Sequence, residues 1–582
     1  MPFDIVNFMS ERKRSKWTQS KNLKLSIPFG KVVPLGAPVE VLPHDTWKLN
    51  IGSIIRMLTP KAPLMDEISG DIYAYYVPNR IVFDRSKQFF GQNEDVAFTL
   101  NLEHTIPHIQ FNIDVDDYYR VGTTDNYVLS SIDSQTFAPY GDKANFTSSL
   151  LDYFELPFVH IRKWQYDNID AVTAEGNQCV FSINALPFRM YQMIWNYDFR
   201  NPSVVDPMLD FAYDHSDIEI QNLANDDDEL PGFSLKPVMR YRDFLSTALK
   251  QPQRGPSVEL FLGTSAPLMV GDYYSVGGIG VDTEIEFVRP GAAGDSPFRF
   301  RYNESDDVYS DSGDKLTGTN VLVDLSKATA STVNQFRNTI ALQHLYEMMT
   351  SAFRYREYVE VFFGVKPRAE DLDEPQCLGG MHFDINVSQV LTTADSTNSV
   401  TGDTGAYSAT SLRGHIYTSS FDEHGMIMLL IVLRKEHTYV QSLDALWRKR
   451  EFLDFFQEPF QDIGNVPLRN SEVALDFKVD GSIDDDTFGY VEPDYEYRHM
   501  ISKAVALMNP MAPGSLAYYA LTDVFDSKPY LNAEFVSEDA NGLDNALVAS
   551  ADVTDQFFGE FYFRYTSTRA MKVRSVPGLT RI

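Results

Sequence analysis

A mainly β fold with a few short helices is predicted by three observations. Met426 to Leu433 is an unbroken apolar run ending at Arg434 and Lys435, with β-branched Ile427, Ile431 and Val432 and a boundary at Gly425. This is the pattern of a central strand buried on both faces and capped by solvent-seeking charge, and it is too short to cross a bilayer. The 30 prolines and 33 glycines are scattered along the chain, which favours many turns and long connections over a helical bundle. Hydrophobic residues make up 43% and aromatic residues 13%, ample for a packed core. A length of 582 residues without internal repeats suggests roughly four domains, although elaborated all-β domains exceed that prior.

The elements follow in order. Residues 1 to 26 form a basic amino-terminal arm. Leu23 to Leu35 alternates loosely, and Glu40-Val-Leu-Pro43 leads into a strand over Thr46 to Ile55. Asp71 to Val77 reads as a strand ending at Pro78. Residues 101 to 150, polar and acidic with scattered tyrosines, read as a surface connection. Leu186, Met190 and Ile194 share one face of a short helix entered through Pro187. Residues 261 to 326 have the glycine, proline and acidic composition of loops and short strands.

A helix over 332–352 follows, capped by Ser331-Thr332. Val333, Phe336, Ile340, Ala341, Leu345, Met348, Met349 and Ala352 make its apolar face, and His344 packs or hydrogen-bonds beside it. Leu443 to Phe456 reads as amphipathic, with Trp447-Arg448-Lys449-Arg450 in its middle, a solvated basic face with an anchoring indole that could also meet phosphate. Phe557 to Tyr565 is aromatic at nearly every position, the pattern of a last buried strand.

Cys179 and Cys377 are too few for a disulfide framework and read as buried free thiols. No secretory h-region follows a basic n-region, so a cytosolic setting is expected. Net charge is -31, which argues against a nucleic-acid partner until its distribution is considered. Residues 1–24 carry six basic residues, among them Arg12, Lys13, Arg14 and Lys16, against two acids; residues 564–582 carry five, including Arg569, Lys572 and Arg574, and no acid. Basic ends flank an acidic middle. Backbone neutralisation by Lys and Arg is tolerant of base sequence, so the seven named basic side chains, with Trp17 as a base-stacking ring, are the candidate nucleic-acid contacts.

No arrangement for catalysis is present: there is no Gly-x-Ser-x-Gly elbow, His-Glu-x-x-His, Walker loop or Cys-x-x-Cys. Asp484, Asp486 and Gly489 imitate part of a calcium loop, but Phe488 takes a ligand position and Tyr495 replaces the closing glutamate. Asp114-Val-Asp-Asp117 and Asp226-Asp-Asp-Glu229 read as solvated loops. Glu423 and His424 read as a structural hydrogen-bonded pair at a strand entrance. No cofactor, metal or catalytic residue is expected.

Phe421-Asp-Glu-His-Gly425 with the strand behind it resembles the major capsid proteins of the Microviridae, in particular the gokushovirus-like branch. Other segments agree in the same order: Val41-Leu-Pro-His-Asp45 and Tyr76-Val-Pro-Asn-Arg80; Leu186-Pro-Phe-Arg189 and Ile194-Trp-Asn196; Tyr241-Arg-Asp-Phe244 with Gly255-Pro256; Thr332-Val-Asn-Gln-Phe-Arg337; Leu378-Gly-Gly380; and Pro577-Gly-Leu579. Residues 101–150 and 261–326 match nothing in that pattern.

The resemblance implies an eight-stranded antiparallel jelly roll of the viral capsid type with long loop insertions. Its strands would fall in 27–260 and 327–582, with 261–326 as an insertion projecting from the outer surface. It further implies pentamers and a closed T=1 icosahedral shell around circular single-stranded DNA, assembled in the bacterial host cytoplasm. Expected partners are a small basic DNA-binding protein, an internal scaffolding protein, a pilot protein and a host surface receptor, without membrane insertion. Glu304, Asp306, Asp307, Asp311 and Asp314 are the candidate surface and host-contact residues. The rival readings are a β-rich polysaccharide hydrolase, which would elute as a monomer or small oligomer, and a phage adhesin, which would show a repeat or a trimeric coiled coil.

Overall fold

The computed structural model describes residues 14–92, 105–113, 149–157, 179–221, 233–256, 258, 333–391, 404–461, 463–483, 485–548 and 554–573, and short strands between 268 and 323. Eight strands make its centre: β1 (Ser15–Ile27), β2 (in two pieces, Val33–Pro34 and Val39–Val41), β3 (Asp45–Met57), β4 (Ile68–Pro78), β5 (Gln376–Asp384), β6 (Thr410–Phe421), β7 (Gly425–Lys435) and β8 (Phe557–Arg569). They form two antiparallel sheets, ordered β1-β8-β3-β6 and β5-β4-β7-β2. The first strand pairs with the eighth, the second with the seventh, the third with the sixth and the fourth with the fifth. That nesting is one long antiparallel hairpin rolled up, the connectivity of an eight-stranded jelly roll. The pairs β8–β3 and β4–β7 complete the two sheets.

The boundaries differ from the expected ones. The basic arm does not extend to residue 26, because β1 begins at Ser15 and pairs along its whole length with β8. Four strands lie before residue 79, and residues 79–375 are inserted between β4 and β5, so 79–260 is insertion rather than jelly roll. A second insertion, 436–556, separates β7 from β8. The first contains a small sheet of His108–Ile113, Cys179–Asn184 and Ile218–Gln221, so the 101–150 segment includes a strand. Within it Gln253–Thr350 forms a compact unit of its own.

Burial explains the layering. Trp47, Leu49, Ile51 and Ile55 of β3 and Phe557, Phe561, Phe563 and Tyr565 of β8 share one core with Ile72 and Ala74 of β4 and Met428 to Leu433 of β7. Each such side chain contributes roughly 1.5–3 kcal/mol. The second face of the β4–β7 sheet is covered by the 79–252 segment: Phe199 stands edge-on to Tyr73 and Tyr75, with centroids 5.6 and 6.0 Å away. Helix α1 (Leu186–Ile194) carries the expected Pro187 in its first turn, but it is buried almost all round. Its Arg189 is fully buried and donates to the carbonyls of Val82, Asp214 and Ser216. Gly425 opens β7 because Tyr76 occupies the space of a side chain, and an added Cβ would come within 2.4 Å of its ring.

Several local expectations are corrected. Helix α2 (Val333–Met348) forms, but it buries none of its residues, and its His344 is exposed. Within its own unit it is held by Gln343, whose Nε2 donates to Gln253 Oε1 at 2.6 Å. Leu443 to Phe456 is two 3-10 turns, Ala445–Arg448 and Phe452–Asp454, and not one helix. β8 is buried on one face only, because Phe558 and Tyr562 point outward. Cys377 is exposed, and the side chain of Cys179 lies outside the described residues. Glu423 and His424 are structural but take separate partners: Arg80 Nε donates to Glu423 at 2.9 Å, and Phe90 stacks on His424 at 3.9 Å.

The largest correction is at the end of β7. Lys435 does not seek solvent: it is fully buried, with Nζ 2.9 Å from Asp523 and 3.8 Å from Asp539. His437 Nδ1 lies 2.6 Å from the same Asp523, and its Nε2 lies 3.3 Å from Glu538. Arg240 approaches Asp523 at 3.7 Å and donates to the Tyr439 hydroxyl, which donates to Asp243. Burial would depress both bases, but hydrogen bonds and charge from Asp523 and Glu538 outweigh it and hold Lys435 and His437 above their ordinary values. Burial would raise Asp523, yet His437 and Lys435 keep it well below the carboxylate range. The cluster ties the end of β7 to both insertions.

Because His437 titrates higher when folded, its contribution is complete below its unfolded pKa of about 6.5 and is lost as pH rises through the raised folded value. The urea-midpoint difference between the wild type and His437→Gln should therefore shrink as pH rises above neutrality; a difference independent of pH would contradict this assignment. Lys435→Ala, which strands a buried carboxylate, should cost about 3–5 kcal/mol by the same measurement.

Candidate nucleic-acid interface

The sheet β1-β8-β3-β6 packs one face on the core and leaves the other bare. Strand alternation sends odd-numbered residues of β3 and β8 inward and even-numbered ones outward. The register aligns the outward side chains into rows. Lys16, Thr568, Thr46 and Ser420 form one row; Thr18, Thr566, Lys48 and Thr418 the next; then Ser20, Arg564, Asn50 and His415; then Asn22, Tyr562, Gly52 and Arg413; then Lys24, Glu560, Ile54 and Ser411; and finally Ser26, Phe558 and Arg56.

This face carries six cations, Lys16, Lys24, Lys48, Arg56, Arg413 and Arg564, against the single carboxylate of Glu560. In a chain of net charge -31 that is a concentration of the opposite sign. Among the described residues no side-chain hydrogen bond or ion pair engages any of the six. Several basic residues elsewhere are committed: Arg80 to Glu423 and Asp373, Arg448 to Glu472, Lys449 to Glu496. Rows repeat roughly every 6.7 Å along a strand and strands lie about 4.8 Å apart, so the cations form a flat, sparse grid with hydroxyl and amide side chains between them. Such a grid meets a phosphate backbone without reading bases.

Two outward aromatic side chains, Tyr562 and Phe558, are about half exposed, at 47% and 44%. Tyr562 and Arg413 flank Gly52 in one row, two strands apart. Nothing in the packing demands glycine there: an added Cβ would meet no atom closer than 3.8 Å. The missing side chain leaves a shallow slot with an aromatic ring on one side and a guanidinium on the other, and both groups stack on nucleobases.

The expected contacts are dispersed by this geometry. Lys16 belongs to the outward face. Trp17 turns to the opposite one, in register with Ser567 and Trp47, so the aromatic surface on the basic face comes from Tyr562 and Phe558. Arg14 donates to Thr46 Oγ1 at 2.6 Å and to the Thr568 carbonyl at 3.2 Å. Arg569 points inward, 2.7 Å from the buried carboxylate of Asp45 and 5.0 Å above the Trp47 ring, which makes it a lock for the β3–β8 pair. Lys572 is exposed. Arg12, Lys13, Arg574 and the acidic residues Glu304, Asp306, Asp307, Asp311 and Asp314 lie outside the described residues, as do Asp114–Asp117 and Asp226–Glu229. The pairing of Ser15 with Arg569 brings the starts of both basic ends side by side at one edge of this sheet.

Lys48, Arg56, Arg413, Tyr562 and Gly52 were not among the expected contacts. The signal for Lys48 and Arg56 is period two: in 45–57 the apolar residues other than Ile54 fall at odd positions and both cations at even ones. No helix among the described residues is long and apolar enough to cross a membrane, and no group of His, Cys, Asp and Glu among them could hold a metal ion.

Similarity to known proteins agrees with the jelly roll. The family model described as capsid protein (F protein) matches residues 7–113 and 163–579. Capsid protein VP1 of Bdellovibrio phage phiMH2K is 29% identical over 97% of this chain and 95% of its own length. Capsid protein VP1 of Chlamydia phage 1 is 28% identical over 98% and 96%, and that of Spiroplasma virus 4 is 26% identical over 95% and 93%. With a model spanning nearly the whole chain, relatives alike from end to end and the connectivity of a rolled hairpin, this protein belongs to the F-protein family of phage capsid proteins.

Proposed function

We propose that this chain is the repeating major subunit of a small icosahedral phage shell, with the outward face of β1-β8-β3-β6 lining the interior against circular single-stranded DNA. The observation that carries the DNA contact is the set of six unengaged cations on one face of an otherwise acidic chain. The role is structural, in keeping with its family. Ser15 and Arg569, paired at one end of that face, bring together the two basic-rich stretches of the sequence, 12–24 and 564–582. Assembly in the host cytoplasm with a small basic DNA-binding protein, a scaffolding protein and a pilot protein fits a subunit that gathers six unengaged cations on one face of an otherwise acidic chain. The compact unit Gln253–Thr350, with the acidic stretch 304–314, suits an outer projection for host contact, because a Ser, Asp and Gly stretch buries too little apolar surface to offset an ordering cost of about 1–2 kcal/mol per residue.

Replacing Lys48, Arg413 and Arg564 together by Gln should weaken binding of oligothymidylate to assembled subunits and reduce the slope of log K against log salt by about 2, since single strands lose about 0.7 per phosphate contact. An unchanged slope would remove this face from the DNA contact. Gly52→Leu fills the slot without changing charge; it should lower affinity and leave the salt slope intact, and wild-type affinity would show that no base enters there. Limited proteolysis of intact particles should cleave within Ser305 to Gly318 while the shell persists, and protection of that interval until disruption would place it at an inward or inter-subunit position.

A further inference from the structure

The insertion between β7 and β8 carries an apolar surface that its own fold leaves uncovered. Trp447 is 72% exposed, Phe452 75% and Met500 99%, and Leu446, Leu453, Phe455, Phe456, Phe460 and Tyr497 are exposed with them. The chain that carries them is pinned at several points. Arg448 pairs with the buried Glu472, Lys449 lies 2.7 Å from Glu496 and 4.4 Å from the centre of the Tyr497 ring, and Phe456 meets Tyr497 edge-on at 6.0 Å. Leu446, Phe455, Tyr497 and Met500 line an open groove of about 520 Å³.

We infer that this surface is a subunit contact and that its occupant is a second copy of this chain. The inference rests on the capsid reading, which requires copies to meet, and adds where they do so. Its first support is area. Six aromatic side chains of about 150–250 Å² each, half or more exposed on average, with three aliphatic ones beside them, present roughly 1,000 Å² of apolar surface. A stable interface needs about 800 Å² from each partner, and a single exposed patch on a monomer seldom exceeds a few hundred. The second support is charge: residues 444–463 and 492–505 together hold eight acidic and five basic residues, so this aromatic cluster repels a phosphate backbone, unlike the sheet face. Large aromatic rings ringed by charge are the composition of an interface centre and its rim.

Hydroxyl-radical footprinting of native particles and of subunits dissociated from them tests the inference on the unmodified protein. Trp447, Phe452 and Met500 should be labelled in subunits and lose that label in shells; equal labelling in both would overturn it. Benzoylphenylalanine in place of Phe452 identifies the occupant: on irradiation of particles it should give an adduct of two copies of this chain, whereas an adduct only to another phage protein, or none, would overturn the assignment. Phe452→Asp should raise the concentration needed for assembly at least about tenfold, equivalent to about 1.4 kcal/mol, with the far-UV spectrum and unfolding midpoint of the subunit unchanged. Because failure here would leave oligothymidylate binding by the sheet face untouched, the two readings fail separately.

Discussion

The structure depends on keeping an eleven-residue strand dry on both faces. β7 is buried at ten of its eleven positions. One sheet face cannot achieve that alone, so β7 needs the β1-β8-β3-β6 sheet on one side and the 79–252 segment on the other. Its far end needs more, because Lys435 carries an ammonium into the same dry interior and must be met by carboxylates. Asp523, Glu538 and Asp539 come from the second insertion, and Arg240, over the ring of Phe535 at 4.6 Å, comes from the first. The insertions are therefore structural partners of the central strand.

This arrangement divides the molecule by solvent. The β5-β4-β7-β2 sheet has its outer face covered by inserted chain, whereas the β1-β8-β3-β6 sheet keeps an open face of hydroxyls, amides and unengaged cations. The second insertion sends Leu521, Leu543 and Leu547 into the main core, holds Leu468, Val473, Phe488 and Phe535 in a small satellite core, and leaves large apolar side chains outside both. A subunit destined for a shell tolerates that surface because a neighbour completes it. The basic face and the apolar patch thus have different chemistry and suit different partners, polynucleotide and protein.

What was legible in the sequence was whatever leaves a local signature. Met426 to Leu433 is legible because an unbroken apolar run suits a strand dry on both faces, and α1 because Pro187 and the 186, 190, 194 spacing agree. β8 was misread because Phe558 and Tyr562 put aromatic rings on its wet face and erased the alternation. α2 has helical spacing and no buried face, so periodicity identified the element without its environment. The burial of Lys435 was not legible, since its carboxylates are 88 and 104 residues further along the chain. The basic face was hidden for a similar reason: Lys48, Arg413 and Arg564 are far apart in sequence and meet only through the register of three strands. The basic ends are the conspicuous local signal, yet Arg569 in one of them is a lock on Asp45.

The most direct test of this account is the orientation of the subunit in its native particle, read from an electron cryo-microscopy reconstruction. The account predicts an icosahedral shell with the face bearing Lys48, Arg413, Tyr562 and Arg564 turned to the interior and nucleic-acid density against it. A shell in which that face looks outward, or is covered by a neighbouring subunit while the genome density lies elsewhere, would contradict it.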